Sequence, residues 1–182
     1  FNRALVVGAG AFGTSIASAL ANNFNEVYMK VRSDDVYQSL QEGKNEVYLP
    51  GHQLADNIYG EKDWEAIDEK AGDEFDLIVS GLPTAGIKDF FTTHHERFVK
   101  YLNGKTPFVS LSKGIDPVTL ELSDDLFFDL FPKQKDMFTF LSGPSFAKEI
   151  MEEQITLVTV AGRSRKVLVQ ISEMFDCAYF KV

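Results

Sequence analysis

Apolar, β-branched runs alternate with stretches of helical spacing along nearly the whole of this 182-residue chain, and this alternation limits the possible folds more than any other feature. The strand candidates are residues 3–10, 26–31, 57–59, 75–83, 106–114, 137–143, 155–162 and 177–182. Helices are expected over residues 12–22, 34–41, 63–70, 84–102, 117–131, 144–151 and 164–175. Apolar strands that alternate with helices are typical of a parallel sheet covered on both faces. We therefore predict one doubly wound α/β domain over residues 1–182.

The sequence "VVGAGAFGTSIA" places a G-x-G-x-x-G pattern between the first strand and the first helix. Gly8 there permits a tight turn, Gly10 lets a pyrophosphate approach the backbone, and Gly13 allows the helix to pack closely on the strand. The helix N-terminus then offers N–H donors and partial positive charge to the phosphates. The pattern predicts a Rossmann-like, mostly parallel sheet that binds a dinucleotide. A purely structural glycine turn is the alternative.

The identity of the dinucleotide depends on the end of the second strand. An NAD site commonly has an acidic side chain there, which holds the ribose hydroxyls. This chain has Arg32 and Ser33 instead, while Asp34 and Asp35 fit the start of the next helix. Arg32 is suited to stacking on an adenine or pairing with a 2′-phosphate; a solvated surface arginine is the alternative. NAD and NADP both stay open as cofactors.

Two further loops are expected at the same edge of the sheet, because ligands of open α/β sheets sit at the carboxyl ends of the strands. The loop "SGLPTAG" (80–86) would lie over the cofactor, with Pro83 in its turn. The loop "LSKGID" (111–116) presents Lys113 beside a glycine, where an ammonium group can bind a ligand. An ordinary strand-to-helix turn and a solvated lysine are the respective alternatives.

A third loop, "LSGPSFAKE" (141–149), follows another strand. Pro144 suits the first position of a helix, where its missing N–H costs nothing, and Ser145 would then lie in the first turn. Gly143 lets the backbone bend and approach a ligand closely. The loop is predicted to face the same crevice as the glycine pattern; an ordinary strand-to-helix turn is the alternative.

Composition narrows the possible partners. A net charge of −9 argues against a nucleic acid or an anionic membrane, since both require a basic surface. The single cysteine, Cys177, is compatible with a reducing, cytoplasmic setting, and no apolar stretch reaches the ~20 residues of a spanning helix. No metal is expected, because no cluster of Cys, His and Asp has ligand spacing.

Five motifs, in this order and spacing, carry a resemblance to a known family: "GAGAFGTSIA", "NEVYLPG", "LPTAGI", "SLSKGI" and "LSGPSFAKE". Together they resemble the N-terminal half of the bacterial-type NAD(P)-dependent glycerol-3-phosphate dehydrogenases, over essentially the whole chain. The pair "SKGI" and "GPSFA" is far more specific than the glycine pattern. The resemblance implies interconversion of dihydroxyacetone phosphate and sn-glycerol 3-phosphate, which feeds glycerolipid synthesis.

The resemblance also implies roles for individual residues. Beside the glycines and Pro83, the implied cofactor contacts are Ala11, Phe12, Arg32, Tyr48, Lys113 and Ala147. The implied substrate contacts are Lys113, Gly143 and Ser145. Relatives commonly carry His-Arg where this chain has Arg32-Ser33, which leaves the choice between NAD and NADP open.

The resemblance further implies a second, helical domain that carries the proton-transferring lysine in a Lys-Asn context. The Lys-Asn pair of this chain, Lys44-Asn45, lies in the early loop region and does not fit that role. We therefore expect an isolated N-terminal cofactor-binding domain, without catalytic residues, of an enzyme that is a homodimer at full length. Another two-domain dehydrogenase, of the ketopantoate or 3-hydroxyacid type, and a non-catalytic dinucleotide sensor are the alternatives.

Overall fold

A computed structural model describes residues 1–112 and 114–182 of the chain. The strands are β1 (Arg3–Val7), β2 (Glu26–Lys30), β3 (Ile58–Glu61), β4 (Leu77–Ser80), β5 (Phe108–Ser110), β6 (Phe138–Ser142), β7 (Thr156–Leu157), β8 (Thr159–Gly162) and β9 (Phe180–Lys181). The α-helices are α1 (Ala11–Leu20), α2 (Asp34–Gln41), α3 (Trp64–Ala71), α4 (Thr84–Thr93), α5 (His95–Leu102), α6 (Ser123–Leu130), α7 (Ala147–Met151) and α8 (Arg165–Phe175). A 3₁₀ helix over Pro132–Met137 leads into β6.

The main sheet has seven strands in the order β3-β2-β1-β4-β5-β6-β8. Strands β1 to β6 pair in parallel, and β8 closes one edge antiparallel to β6. The chain builds outward from β1 to β3 on one side, then returns to add β4, β5 and β6 on the other. The winding therefore reverses between β1 and β4, which is where open α/β sheets bind their ligands. The predicted doubly wound, mostly parallel sheet is confirmed.

Each face of the sheet has its own buried core. In β1, Ala4 and Val6 belong to one core while Leu5 and Val7 belong to the other, and each is at most 1% exposed. The first core is mainly aliphatic and includes residues of α1, α2, α7 and α8, whereas the second is rich in aromatic rings and includes residues of α3 to α6. Burial on both faces explains why the strands read as continuous apolar runs rather than as an alternation.

The aromatic core has Phe91 at its centre. Its ring packs edge-on against those of Phe98, Phe127 and Phe108, with centroids 4.8, 5.3 and 5.7 Å away. Such pairs contribute about 0.5–1.5 kcal/mol each beyond the burial of their area. Four more phenylalanines between the start of α6 and the end of β6 lie in or against this core: Phe128, Phe131, Phe138 and Phe140.

Two predicted helices begin or end at other residues than expected. The predicted helix over 84–102 is two helices, because the backbone leaves helical geometry at His94 (φ −107°, ψ 24°). The predicted helix over 117–131 begins only at Ser123. The Asp116 carboxylate accepts hydrogen bonds from the backbone N–H groups of Val118 and Thr119, at 2.9 and 2.8 Å, as at a helix start. Leu120 then has φ +61° and Ile115 pairs with Leu122 in an antiparallel bridge, so only a turn forms here.

The last two predicted strands are shorter than expected. Residues 155–162 form β7 and β8 with Val158 between them, and the two strands belong to different sheets. Strand β7 pairs in parallel with β9, which occupies only Phe180–Lys181 of the predicted 177–182. Local apolar patterns identify both stretches as extended backbone but carry no information about which partner each half will meet.

The expectation that Pro144 opens a helix is wrong. Helix α7 begins at Ala147 with Phe146 as its N-cap, so that Pro144 and Ser145 lie in the loop before it. The Ser145 N–H donates to the Gly143 carbonyl at 2.9 Å, which forms a tight turn. A Cβ on Gly143 would lie 3.0 Å from Val158 Cα, so the loop folds closely against the β7–β8 junction before the helix starts.

Across the two described ranges, no helix combines the length and apolar content that a lipid bilayer would require of a span.

Candidate dinucleotide-binding site

The glycine loop lies at the carboxyl ends of β1 and β4, between which the winding of the sheet reverses. The Gly8 N–H donates to the Lys30 carbonyl at the end of β2, at 3.1 Å, and the Gly81 N–H donates to the Val7 carbonyl at the end of β1, at 2.8 Å. The turns that follow β1, β2 and β4 are therefore joined at one edge of the sheet. The ligand-binding crevice was predicted from the sequence at this edge of the sheet.

Three glycines at this edge approach one another too closely for side chains. Gly8 has φ +94°, a conformation that L side chains rarely adopt. A Cβ on Gly13 would lie 2.5 Å from the Gly8 carbonyl oxygen, and one on Gly81 would lie 3.3 Å from Gly13 Cα. We name Gly8, Gly13 and Gly81 the glycine contact. Gly81 is not recognisable from the sequence as part of this contact, since nothing local shows that its loop meets α1.

Gly10 differs from these three. Its backbone, at φ −70° and ψ −178°, is open to any residue, and a Cβ there would have no heavy atom within 4 Å. Gly10 is the N-cap of α1, which receives no side-chain hydrogen bond and has no acidic residue in its first turn. The free space thus lies directly over the positive end of a helix. An anionic group such as a pyrophosphate fits this arrangement.

The loop between α2 and β3 packs against the glycine loop through one side chain. Asn45 is fully buried, and its amide nitrogen donates to the Ala9 carbonyl at 3.0 Å and to Thr14 Oγ1 at 2.8 Å. In the sequence, Asn45 stands out only as half of a Lys-Asn pair. A buried asparagine can be suspected from its loop position, but its partners lie some thirty residues away in the chain.

Arg32 extends from the end of β2 into solvent. Within residues 1–112 and 114–182 it has no hydrogen-bond or ion-pair partner. Asp34 is not the missing NAD-type acid, because it lies in the first turn of α2 and forms an ion pair with Lys62. Tyr48, predicted to lie near the adenosine, is 53% exposed on the loop that Asn45 anchors.

Lys30, a neighbouring cation, is engaged elsewhere. Its ammonium donates to the Val31 carbonyl at 3.2 Å and lies 5.2 Å from the centre of the Trp64 ring, against the aromatic core. Burial lowers the pKa of Lys30 below its ordinary value, and the positive charge of Lys62 adds to that effect. Arg32 is therefore the cation of this region that is best placed to meet a ligand.

The loops after β4 and β5 are tied together beside the glycine contact. The Ser112 hydroxyl donates to the Leu82 carbonyl at 2.5 Å, and Leu82 would be 3.4 Å from a Cβ on Gly8. Pro83 follows as the exposed N-cap of α4. Lys113 lies outside the described residues, so its predicted contacts stay predictions.

The loop after β6 approaches the same region through α7, which packs against α1. Ser145 and Ala147 are half-buried, and Ser145 Oγ lies 3.5 Å from the Gly143 carbonyl oxygen. The structure thus brings the predicted cofactor residues Ala11, Phe12 and Ala147 onto two contacting helices. The ligands that these residues contact remain predictions.

A glycine turn at the switch point of a parallel sheet, with an open helix N-terminus above it, defines a dinucleotide-binding α/β domain. The family model described as "NAD-dependent glycerol-3-phosphate dehydrogenase N-terminus" matches residues 3–168. The chain belongs to this family, and the predicted family is confirmed.

Curated relatives carry names that agree with the predicted cofactor class. The chain is 30% identical over 179 residues to the glycerol-3-phosphate dehydrogenase [NAD(P)+] of Leptospira biflexa, covering 97% of this chain and 51% of the relative. It is 32% identical over 180 residues to that of Bacillus licheniformis, covering 97% and 50%. The chain thus spans about half the length of the curated relatives it matches.

Solved structures share the fold. The glycerol-3-phosphate dehydrogenase of Coxiella burnetii matches with a TM-score of 0.82 at 22% identity, over 99% of this chain and 52% of that one. That of Plasmodium falciparum matches with a TM-score of 0.83 at 23% identity, over 98% and 51%. A prephenate dehydrogenase from A. aeolicus matches more loosely, with a TM-score of 0.62 at 12% identity, over 96% and 56%.

The glycine contact predicts opposite effects for two helical glycines. Gly13→Ala should lower the free energy of unfolding by about 1–3 kcal/mol, because the new methyl group would collide with the Gly8 carbonyl. Gly86→Ala is the matched control, since Gly86 occupies the same third position of α4 and its Cβ would have only Pro83 Cγ, at 3.9 Å. It should raise stability by about 0.5–1 kcal/mol. Urea denaturation measures both, and equal effects would contradict the described packing.

Proposed function

We propose that this chain is the NAD(P)-binding domain of a two-domain dehydrogenase, which transfers a hydride between NAD(P)H and dihydroxyacetone phosphate to give sn-glycerol 3-phosphate. The observation that carries the proposal is the open space at Gly10, over the uncapped N-terminus of α1, at the switch point of the sheet. Family membership supports the choice of a nicotinamide dinucleotide and of a glycerol phosphate substrate.

In this proposal the residues of the glycine loop receive the pyrophosphate. The backbone N–H groups at the start of α1 donate to its oxygens, and the absence of a side chain at Gly10 lets it come close. Arg32 and Tyr48 hold the adenosine end, since both are exposed beyond β2. Ala11, Phe12, Pro83 and Ala147 line the remaining length of the cofactor, whose nicotinamide ring supplies or accepts the hydride.

The substrate lies between the cofactor and the loops after β5 and β6. Lys113 offers an ammonium group to the ketone oxygen or phosphate, and Gly143 and Ser145 offer backbone and hydroxyl groups. Reduction of a ketone also needs a positioned proton donor. That donor belongs, in this proposal, to a second domain, in keeping with the half-length match to the curated relatives.

Substitution at Gly10 separates binding from folding. The backbone at Gly10 tolerates any residue and the space is empty, so Gly10→Val should leave the free energy of unfolding within about 1 kcal/mol of wild type. The valine would occupy the pyrophosphate position, and NADH affinity should fall by about a hundredfold or more, as expected for the loss of several hydrogen bonds to a charged group. Calorimetric titration of both proteins measures this. Equal NADH affinity in the two would place the cofactor elsewhere.

Arg32 is expected to favour NADPH. Its guanidinium has no partner among the described residues, and Asp34 is occupied by Lys62. Arg32→Ala should weaken NADPH binding by about tenfold or more, through the loss of a charge-assisted pair with the 2′-phosphate. It should change NADH binding by no more than about twofold. Loss of affinity for both cofactors alike would instead indicate stacking on the adenine.

Turnover distinguishes the enzyme from the alternatives. The 182-residue chain should bind NADH but should not oxidise it in the presence of dihydroxyacetone phosphate, since hydride donor and proton donor must act together. A longer polypeptide that includes the second domain should oxidise NADH with this substrate. The loss of NADH absorbance measures this oxidation. Reduction of ketopantoate but not of dihydroxyacetone phosphate would identify another dehydrogenase, and no reduction of either would favour a sensor.

A further inference from the structure

Asn45 makes a set of contacts that nothing in its local sequence requires. Its side chain is fully buried, and its amide nitrogen donates both to the Ala9 carbonyl, at 3.0 Å, and to Thr14 Oγ1, at 2.8 Å. Its carbonyl oxygen accepts from the backbone N–H of Tyr48 at 3.3 Å. Both N–H groups of the amide are thus used, one on Ala9 in the glycine loop and one on Thr14 in α1, and the amide oxygen accepts from the loop that carries Tyr48.

The two acceptors lie on either side of the open N-terminus of α1. Ala9 precedes Gly10, the N-cap, and Thr14 closes the first turn, since its N–H donates to the Gly10 carbonyl at 3.0 Å. One amide nitrogen therefore fixes the turn before the helix and the first turn of the helix relative to each other. The loop has no other side chain that performs this function within the described residues.

Because a peptide is planar, the hydrogen bond to the Ala9 carbonyl also fixes the direction of the Gly10 N–H. The Ala9 carbonyl and the Gly10 N–H belong to one trans peptide, so they point in opposite directions. When Asn45 holds the carbonyl in the protein interior, the Gly10 N–H is turned away from Asn45. A rotation of this peptide would instead present a carbonyl oxygen where an anion is to bind.

We propose that Asn45 is a positioning residue, which holds the Ala9–Gly10 peptide in the orientation that accepts the pyrophosphate and couples this peptide to the Tyr48 loop. The inference rests on the proposed function, because it names the residue that shapes the proposed phosphate site. Asn45 itself is buried behind the loop and does not touch the ligand.

The neutral amide group of Asn45 cannot be replaced by a carboxylate without loss of the two donated hydrogen bonds. An aspartate would have nearly the same size, but its carboxylate offers no N–H to Ala9 or Thr14. It would also place a negative charge behind the turn that receives a dianionic pyrophosphate. The structure therefore assigns a role to the amide group rather than to the volume of the side chain.

Asn57 provides a matched control. Its amide nitrogen also donates twice to the backbone, to the Ala21 carbonyl at 3.0 Å and the Phe24 carbonyl at 2.8 Å, but at the opposite end of α1. If Asn45 only stabilises the fold, Asn45→Ala and Asn57→Ala should lose NADH affinity in proportion to their loss of thermal stability. If Asn45 positions the peptide, affinity and stability should separate.

The test is calorimetric titration of NADH into wild type, Asn45→Ala and Asn57→Ala, each held well below its melting temperature. We expect Asn45→Ala to weaken NADH binding by about tenfold or more and Asn57→Ala to weaken it by no more than about twofold, although both melt earlier than wild type. Asn45→Asp serves as the second variant, should the alanine variant not fold. Its affinity should fall by at least as much, because it loses both donors and adds a charge.

The possible outcomes are distinct. A loss confined to the Asn45 variants supports the inference. Wild-type binding that is retained in Asn45→Ala and Asn45→Asp, or lost equally in Asn57→Ala, overturns it and leaves the proposed function intact. Absence of NADH and NADPH binding by the wild type overturns the proposed function and, with it, the inference.

Discussion

The site depends on the contact between Gly8, Gly13 and Gly81. In this contact α1 begins directly beside β1 and β4, close enough that a Cβ on Gly13 would lie 2.5 Å from the Gly8 carbonyl oxygen. A larger residue at Gly13 in the helix, or at Gly8 or Gly81 in the loops, would push the N-terminus of α1 away from the sheet. The partial positive charge at this end would then no longer face the crevice at the carboxyl ends of β1 and β4. This one backbone contact thus sets the position of α1 relative to the neighbouring strands β1 and β4.

Much of this arrangement could be predicted because its signals are local. The predicted helix over 34–41 coincides with α2, and β1, β2 and β4 lie within their predicted ranges. A β-branched run that ends in glycine and is followed by helical spacing defines both elements over a dozen residues. The doubly wound, mostly parallel sheet was predicted from the alternation of apolar strands with helices, whereas the order of its strands is known only from the structure.

The missing parts are those set by distant neighbours. Asn45 is recognisable only through Ala9 and Thr14, which meet it in the folded chain. Pro144 has the local chemistry of a helix start, but the close approach of Gly143 to Val158 keeps the chain in a turn until α7 begins. Likewise, Asp116 caps the following turn as it would cap a helix, but the antiparallel bridge between Ile115 and Leu122 and the positive φ of Leu120 interrupt helical geometry before Ser123. In each case a tertiary or side-chain contact prevails over a local preference.

The three positions of the glycine pattern carry different kinds of information. Gly8 and Gly13 are required by the protein's own backbone, through a positive φ at one and a near collision at the other. The middle position, Gly10, meets neither constraint, and the proposed pyrophosphate site gives a reason for the absence of a side chain there. A homologue that no longer binds the ligand would therefore still need the two outer glycines for its fold, whereas the middle one would be free to change. In this chain the middle glycine therefore reports on the proposed ligand, whereas the outer pair reports on the packing of the backbone.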